Sequence, residues 1–161
     1  MNPYSSPPIT LACPPTSDIT EKGIFNATKA FCENFVHDRN PVELANRFTC
    51  NGTAITHGMH GMTVLHGRRL AAREYFYLLF AVLRITNTVF SDIAISKENM
   101  SAYISGSTKA EWTTVGRFWN ETFVYKLSFE LKSGVYKIKE FEAWGDSGAG
   151  ECPPSTEAEE R

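Results

Sequence analysis

Residues 122–144 read TFVYKLSFELKSGVYKIKEFEAW, and this stretch decides the fold. Over its first ten residues the side chains alternate cleanly. Phe123, Tyr125, Leu127, Phe129 and Leu131 fall on one face, and Thr122, Val124, Lys126, Ser128 and Glu130 on the other. A period of two is that of a strand with one buried side. Lys132-Ser133-Gly134 reads as a hairpin turn, and Val135 to Trp144 as the return strand. Upstream, Thr88 to Ser96 is β-rich and stops at the turn Lys97-Glu98-Asn99. Ser101 to Thr114 then makes a further long strand carrying Tyr103, Glu111 and Trp112. The second half is therefore an antiparallel meander.

The first half changes period. Asp18 with Glu21 forms a capping-box pattern, and Ile24, Ala27, Phe31 and Phe35 recur at helical spacing up to about Val36. Asn40-Pro41-Val42-Glu43 starts a second, short helix bearing Leu44, Ala45 and Phe48, with Asn as N-cap and Pro at the first helical position. Thr53 to His57 reads as a short strand. A loop with Gly58 and Gly61 leads to Val64-Leu65, and Gly67 opens a longer helix buried along Leu70, Tyr75, Leu78, Leu79 and Val82. Helices followed by a meander give an α+β domain, with helices over one face of a curved antiparallel sheet.

Seven of the eight prolines lie before residue 16 or after residue 152. Proline breaks helices and cannot donate to a central ladder. The expectation is one domain over residues 16–147, between a flexible N-terminal tail (1–15) and a flexible acidic C-terminal tail (148–161). The 161 residues suffice for one such domain, with 42% hydrophobic, 12% aromatic and 21% charged residues. A formal net charge of −2 gives no basic footprint for nucleic acid or an anionic membrane surface, and no run is long enough to span a bilayer. The N-terminus shows neither a charged segment nor an apolar run of the secretory kind, so a cytoplasmic location is expected. Cys13, Cys32, Cys50 and Cys152 then read as free thiols, and the four N-x-S/T sequons (Asn26, Asn51, Asn99, Asn120) as coincidence. GxSxG, P-loop and GxGxxG patterns are absent, which leaves hydrolase, kinase and dehydrogenase readings without support.

Three local patterns carry a resemblance. They are Leu65-His66-Gly67-Arg68-Arg69 with Glu74-Tyr75-Phe76, then Gly134-Val135-Tyr136-Lys137-Ile138, and last Phe141-Glu142-Ala143-Trp144-Gly145-Asp146-Ser147. In this order and spacing the chain resembles the nuclear transport factor 2-like, or SnoaL-like, superfamily over nearly the whole of 18–147. It is most similar to the small fungal isomerases and cyclases of meroterpenoid and indole-alkaloid pathways. The resemblance implies a cone-shaped sheet with helices over its concave face and a deep apolar pocket. It also implies cofactor-independent acid/base catalysis on a small hydrophobic polycyclic intermediate, namely isomerisation, cyclisation or dehydration. The superfamily also holds non-catalytic ligand-binding and dimeric protein-interaction modules, so fold alone does not settle function.

Acid/base work in an apolar cavity needs ionisable groups on the concave face of the sheet. Tyr125 shares its face with Phe123, Leu127 and Phe129, and stands either as a catalytic phenol or as a core tyrosine. On the last strand, Glu140 and Glu142 either face the pocket with Ile138 and Trp144, or lie exposed while Phe141 is buried. The resemblance places an acid/base aspartate at Asp146. The fungal relatives often carry a glutamate where this chain has Ala143, with Glu142 beside it, so the resemblance leaves Glu140, Glu142 and Asp146 as alternatives for the carboxylate. His57 alternates with Ile55 and Met59, which aims it at the pocket as a general base or a donor to a carbonyl. His57, His60 and His66 lack ligand spacing for a metal. Arg39 falls where relatives place a substrate-binding arginine. Tyr103, Phe123, Phe129 and Trp144 complete the expected substrate contacts. The outward set on 122–131 suits a two-fold dimer interface. An enclosed cavity of several hundred Å³ with polar lining marks the enzyme reading, and a filled one marks the module.

Overall fold

A computed structural model of the protein describes residues 6–57, 65–113 and 116–145. Helix α1 (Ile19–Glu33) is followed by a π-helical turn (Asn34–Asp38) and α2 (Pro41–Ala45). Then come β1 (Phe48–His57), β2 (Leu70–Ala71), α3 (Ala72–Val82), β3 (Leu83–Ser96), β4 (Ser101–Trp112), β5 (Arg117–Lys132) and β6 (Val135–Gly145). Both expected caps form. Asp18 accepts from the Thr20 and Glu21 amides at 2.8 and 3.0 Å, and Asn40 accepts from Val42 and Glu43 ahead of Pro41. Each satisfies amides that the first helical turn would leave open.

The six strands form one sheet in the order β2-β1-β6-β5-β4-β3, with β1 parallel to β6 and every other pair antiparallel. The helices lie over one face, which makes an α+β sheet of the expected kind. The hairpin between β5 and β6 turns at Ser133 and Gly134, both with positive φ (51° and 79°), the backbone a tight two-residue turn requires. Aromatic rings from every layer meet in the core. Phe31 and Phe35 from the first helical segment, Phe76 from α3, and Tyr125 and Phe141 from the sheet stack within 5.1–6.4 Å between centroids. Residues ahead of the expected boundary also contribute, since Leu11 is buried in this core and the Ser6 hydroxyl accepts from the Thr88 amide.

Two elements depart from expectation. Helix α3 begins at Ala72 rather than at Gly67. Gly67 takes φ +71°, a left-handed turn that no helix continues through, and Leu70 pairs with Ala54 as part of β2. Strand β3 begins at Leu83, directly from the helix, and Asn87 (φ 52°) lies within an interruption of its register before Thr88.

The decisive irregularity is in β6. Glu140 lies opposite Ser128, but Ile138 lies opposite Phe129, so Lys139 is an extra residue in the ladder. One extra residue reverses which side chains face inward. Ile138, Phe141 and Ala143 are buried while Glu140 and Glu142 are not. The expectation that Glu140 and Glu142 share a face with Ile138 is thereby corrected.

Candidate functional site

The inner face of β5 carries Glu121, Phe123 and Tyr125 in one row, and the cavity opens against it. Its walls include Phe35, Thr56, Tyr75, Leu79, Leu83, Ile85, Thr108, Ala110, Phe141, Ala143 and Trp144. The space open to water-sized spheres is about 40 Å³, room for a few waters. That volume falls short of the several hundred Å³ that the enzyme reading favours. Its polar lining comes from Thr56, Tyr75, Thr108, Glu121 and Tyr125.

Tyr125 is buried, with Phe123 stacked on its ring at 4.3 Å. Burial holds its phenol well above the usual tyrosine range. Neighbouring Tyr75, Cys32 and Glu121 push the same way, and the positive charge of Arg39 opposes them. The group is therefore a neutral hydrogen-bond donor at physiological pH. The Tyr75 phenol is likewise pushed up by burial and shares a 2.5 Å hydrogen bond with the Thr56 hydroxyl. Opposite Glu121 in the ladder, the Thr108 hydroxyl bonds to the Thr86 carbonyl and to Thr88.

Glu121 is the carboxylate of this cavity. It is 3% exposed, and its Oε1 accepts a hydrogen bond from the Trp119 indole at 2.6 Å. Sequence reasoning passed over it in favour of the last strand. The signal was present, because one step back from Phe123 along the same alternation lies Glu121. Trp119 stacks in turn against Trp112 at 5.4 Å.

The other candidates are dispersed. Phe123 lines the cavity with Tyr125, and Trp144 reaches its wall. Phe129 is buried in the core and is not among the lining residues. His57 is corrected to the outer face of β1, because its neighbour Thr56 lines the cavity. His57 stacks on the Trp144 ring at 5.0 Å and comes within 3.5 Å of Glu142. Glu140 pairs with Arg69, outside the cavity. Tyr103 is also on the outer face, 42% exposed, with the Lys126 ammonium 5.6 Å from its ring. Asp146 and His60 lie outside the described residues. Arg39 closes the π-helical turn with φ 51°, lays its guanidinium over Phe80 at 4.4 Å and donates to the Leu83 carbonyl at 3.2 Å. It is not among the cavity-lining residues. Among the described residues no group of three His, Cys, Asp or Glu could hold a metal ion, and no helix is long and apolar enough to cross a membrane.

No protein-family model matches the chain, and no curated protein matches it significantly. Solved structures do match in fold. A pinacolase from Penicillium brevicompactum superposes with a TM-score of 0.62 at 12% identity, covering 80% of this chain and 89% of that one. PrhC from Penicillium brasilianum gives 0.60 at 11% identity, covering 80% and 83%. A ketosteroid isomerase-like protein from Erwinia carotovora atroseptica gives 0.57 at 10% identity, covering 77% and 94%. The fold is the nuclear transport factor 2-like cone.

Proposed function

We propose that this protein is a cofactor-independent isomerase or cyclase of fungal secondary-metabolite type, acting on an apolar polycyclic intermediate by proton transfer. The observation that carries the reading is the pairing of Glu121 and Tyr125 on one cavity-facing row of β5. Glu121 takes a proton from the substrate, and the released electron pair moves into the adjoining π system or ring bond. Charge collects on an oxygen held by the neutral phenol of Tyr125, which Arg39 makes a stronger donor. The carboxyl then returns the proton to a second atom, so isomerisation and cyclisation need no co-reactant. If the proton is returned to a departing hydroxyl, the same groups serve a dehydration. Four residues of strand separate the two, about 13 Å of backbone. A substrate engaging both is therefore elongated, and Phe123 offers it ring surface.

The fold-level likeness to a pinacolase and an isomerase-like protein supports this chemistry, and the two Penicillium neighbours support the pathway type. A cytosolic location belongs to the same reading and suits the free thiols of Cys13, Cys32 and Cys50. The small cavity volume favours a second reading, a non-catalytic ligand-binding or interaction module. The two separate on a panel of polycyclic ketones, epoxides and alcohols assayed for turnover and for thermal stabilisation. For a substrate found this way, E121Q should lose about 10²–10⁴-fold in kcat with its melting temperature preserved. Turnover by E121Q close to that of the unmodified chain sinks the acid/base scheme, and stabilisation without turnover favours the module.

Assembly as a two-fold dimer through the outer sheet face is also proposed. Val89, Tyr103 and Val124 are each 39–47% exposed there, interleaved with polar neighbours. Light scattering at micromolar concentration should give twice the 18.0 kDa chain mass. A mass that stays at one chain on concentration removes the dimer.

A further inference from the structure

We propose that Trp119 is a positioning residue that holds Glu121 in its cavity-facing arrangement and favours its carboxylate form; its catalytic meaning rests on the acid/base reading above, but its geometry does not. Trp119 and Glu121 are two residues apart on β5 and so project from the same face. The indole N–H donates to Glu121 Oε1 at 2.6 Å, a short contact of the charge-assisted kind. An indole nitrogen can only donate, and an ionised carboxylate accepts more strongly than the carbonyl oxygen of a neutral carboxyl, so this contact favours the carboxylate form. The indole is itself braced. Its ring lies 5.4 Å from that of Trp112, which is buried at the end of β4. The chain thus runs from Trp112 to Trp119 to Glu121 to the cavity.

Among the described residues, the titratable side chains sharing the cavity with Glu121 are Tyr75 of α3 and Tyr125 of β5. Strands β3 and β4 present Leu83, Ile85, Thr108 and Ala110 to the same space. Both phenols are held neutral, so neither competes with Trp119 by placing a charge beside the carboxylate. Thr108 has its hydroxyl engaged with Thr86 and Thr88. Replacing Trp119 removes the indole donor from Glu121 without changing the charge of the cavity.

The test needs no substrate. Protein labelled with ¹³C at the glutamate carboxyls is titrated by NMR, and the Glu121 resonance is assigned by its loss in E121Q. A hydrogen bond to a charged group contributes about 1.5–3 kcal/mol and one pH unit corresponds to about 1.4 kcal/mol, so W119F should raise the Glu121 midpoint by about one to two units. Replacement of Trp119 by benzothienylalanine, which keeps the bicyclic shape and removes only the N–H, should give the same shift even where W119F folds poorly. F118A, on the same strand but facing outward, should leave the midpoint in place. An unmoved Glu121 midpoint in the benzothienylalanine protein overturns the proposal. That outcome is separate from the fate of the acid/base reading, which fails instead if E121Q remains active.

Discussion

β5 and β6 are neighbours joined by a two-residue turn, yet they present their residues by different rules. Along β5 every second residue from Glu121 to Phe129 is buried, without interruption. Along β6 the extra residue Lys139 shifts the phase, so that Phe141 and Ala143 face inward and Glu140, Glu142 and Trp144 stand on odd terms with the strand's first half. The regular strand carries Glu121 and Tyr125 into the cavity. The bulged strand turns its carboxylates away, where Arg69 and His57 receive them. A bulge of one residue therefore decides which of two neighbouring strands can supply the acid.

The largest test of that contrast sets two adjacent residues of β6 against each other. Phe141 is 1% exposed and packs against Phe31, Tyr75, Phe76 and Tyr125. F141A should cost about 3–5 kcal/mol in denaturant unfolding, as truncation of a buried aromatic does. E142A, one residue on, should cost less than about 1 kcal/mol, because Glu142 and His57 form a half-buried pair outside the core and such pairs contribute little. Equal costs would place the bulge elsewhere.

A smaller effect is expected at alkaline pH. The native state holds Tyr75, Tyr125 and Cys32 neutral, with burial raising all three above their ordinary values. Unfolding releases each proton at a lower pH. The stability these groups contribute is therefore complete below the unfolded values and is lost as pH rises through and beyond them. Above about pH 10, each buried phenol should steepen the fall by about 1.4 kcal/mol per pH unit. Y125F should remove one such increment from urea unfolding measured across pH 8–11. An unchanged slope would mean that the Tyr125 phenol is not buried on the inner face.

Much of the scaffold was legible in the residues. Asp18 and Asn40 cap as their side chains demand, Ser133-Gly134 turns where glycine permits, and the alternation from Phe123 gives the burial of β5 as far as Phe129, whereas Leu131, expected on the same face, is exposed beside the turn. The site was less so. Glu121 lay one step beyond the stretch whose alternation was read, and the last strand was assumed regular. His57 was aimed by alternation from Ile55, yet Ile55 is buried on the outer face, so the burial of a neighbour did not report which side was the cavity. Burial has two sides on a covered strand, and periodicity cannot tell them apart.

The sequence by itself determined the order of elements, their caps and turns, the period of each strand and the α+β class, because these follow from contacts among residues close in the chain. Tertiary structure alone decided the register of β6 against β5, the face on which each carboxylate stands, and the meeting of Glu121, Tyr125, Thr56 and Tyr75 around one cavity. Those are properties of pairings between distant segments. A single unpaired residue such as Lys139 changes them for every side chain that follows.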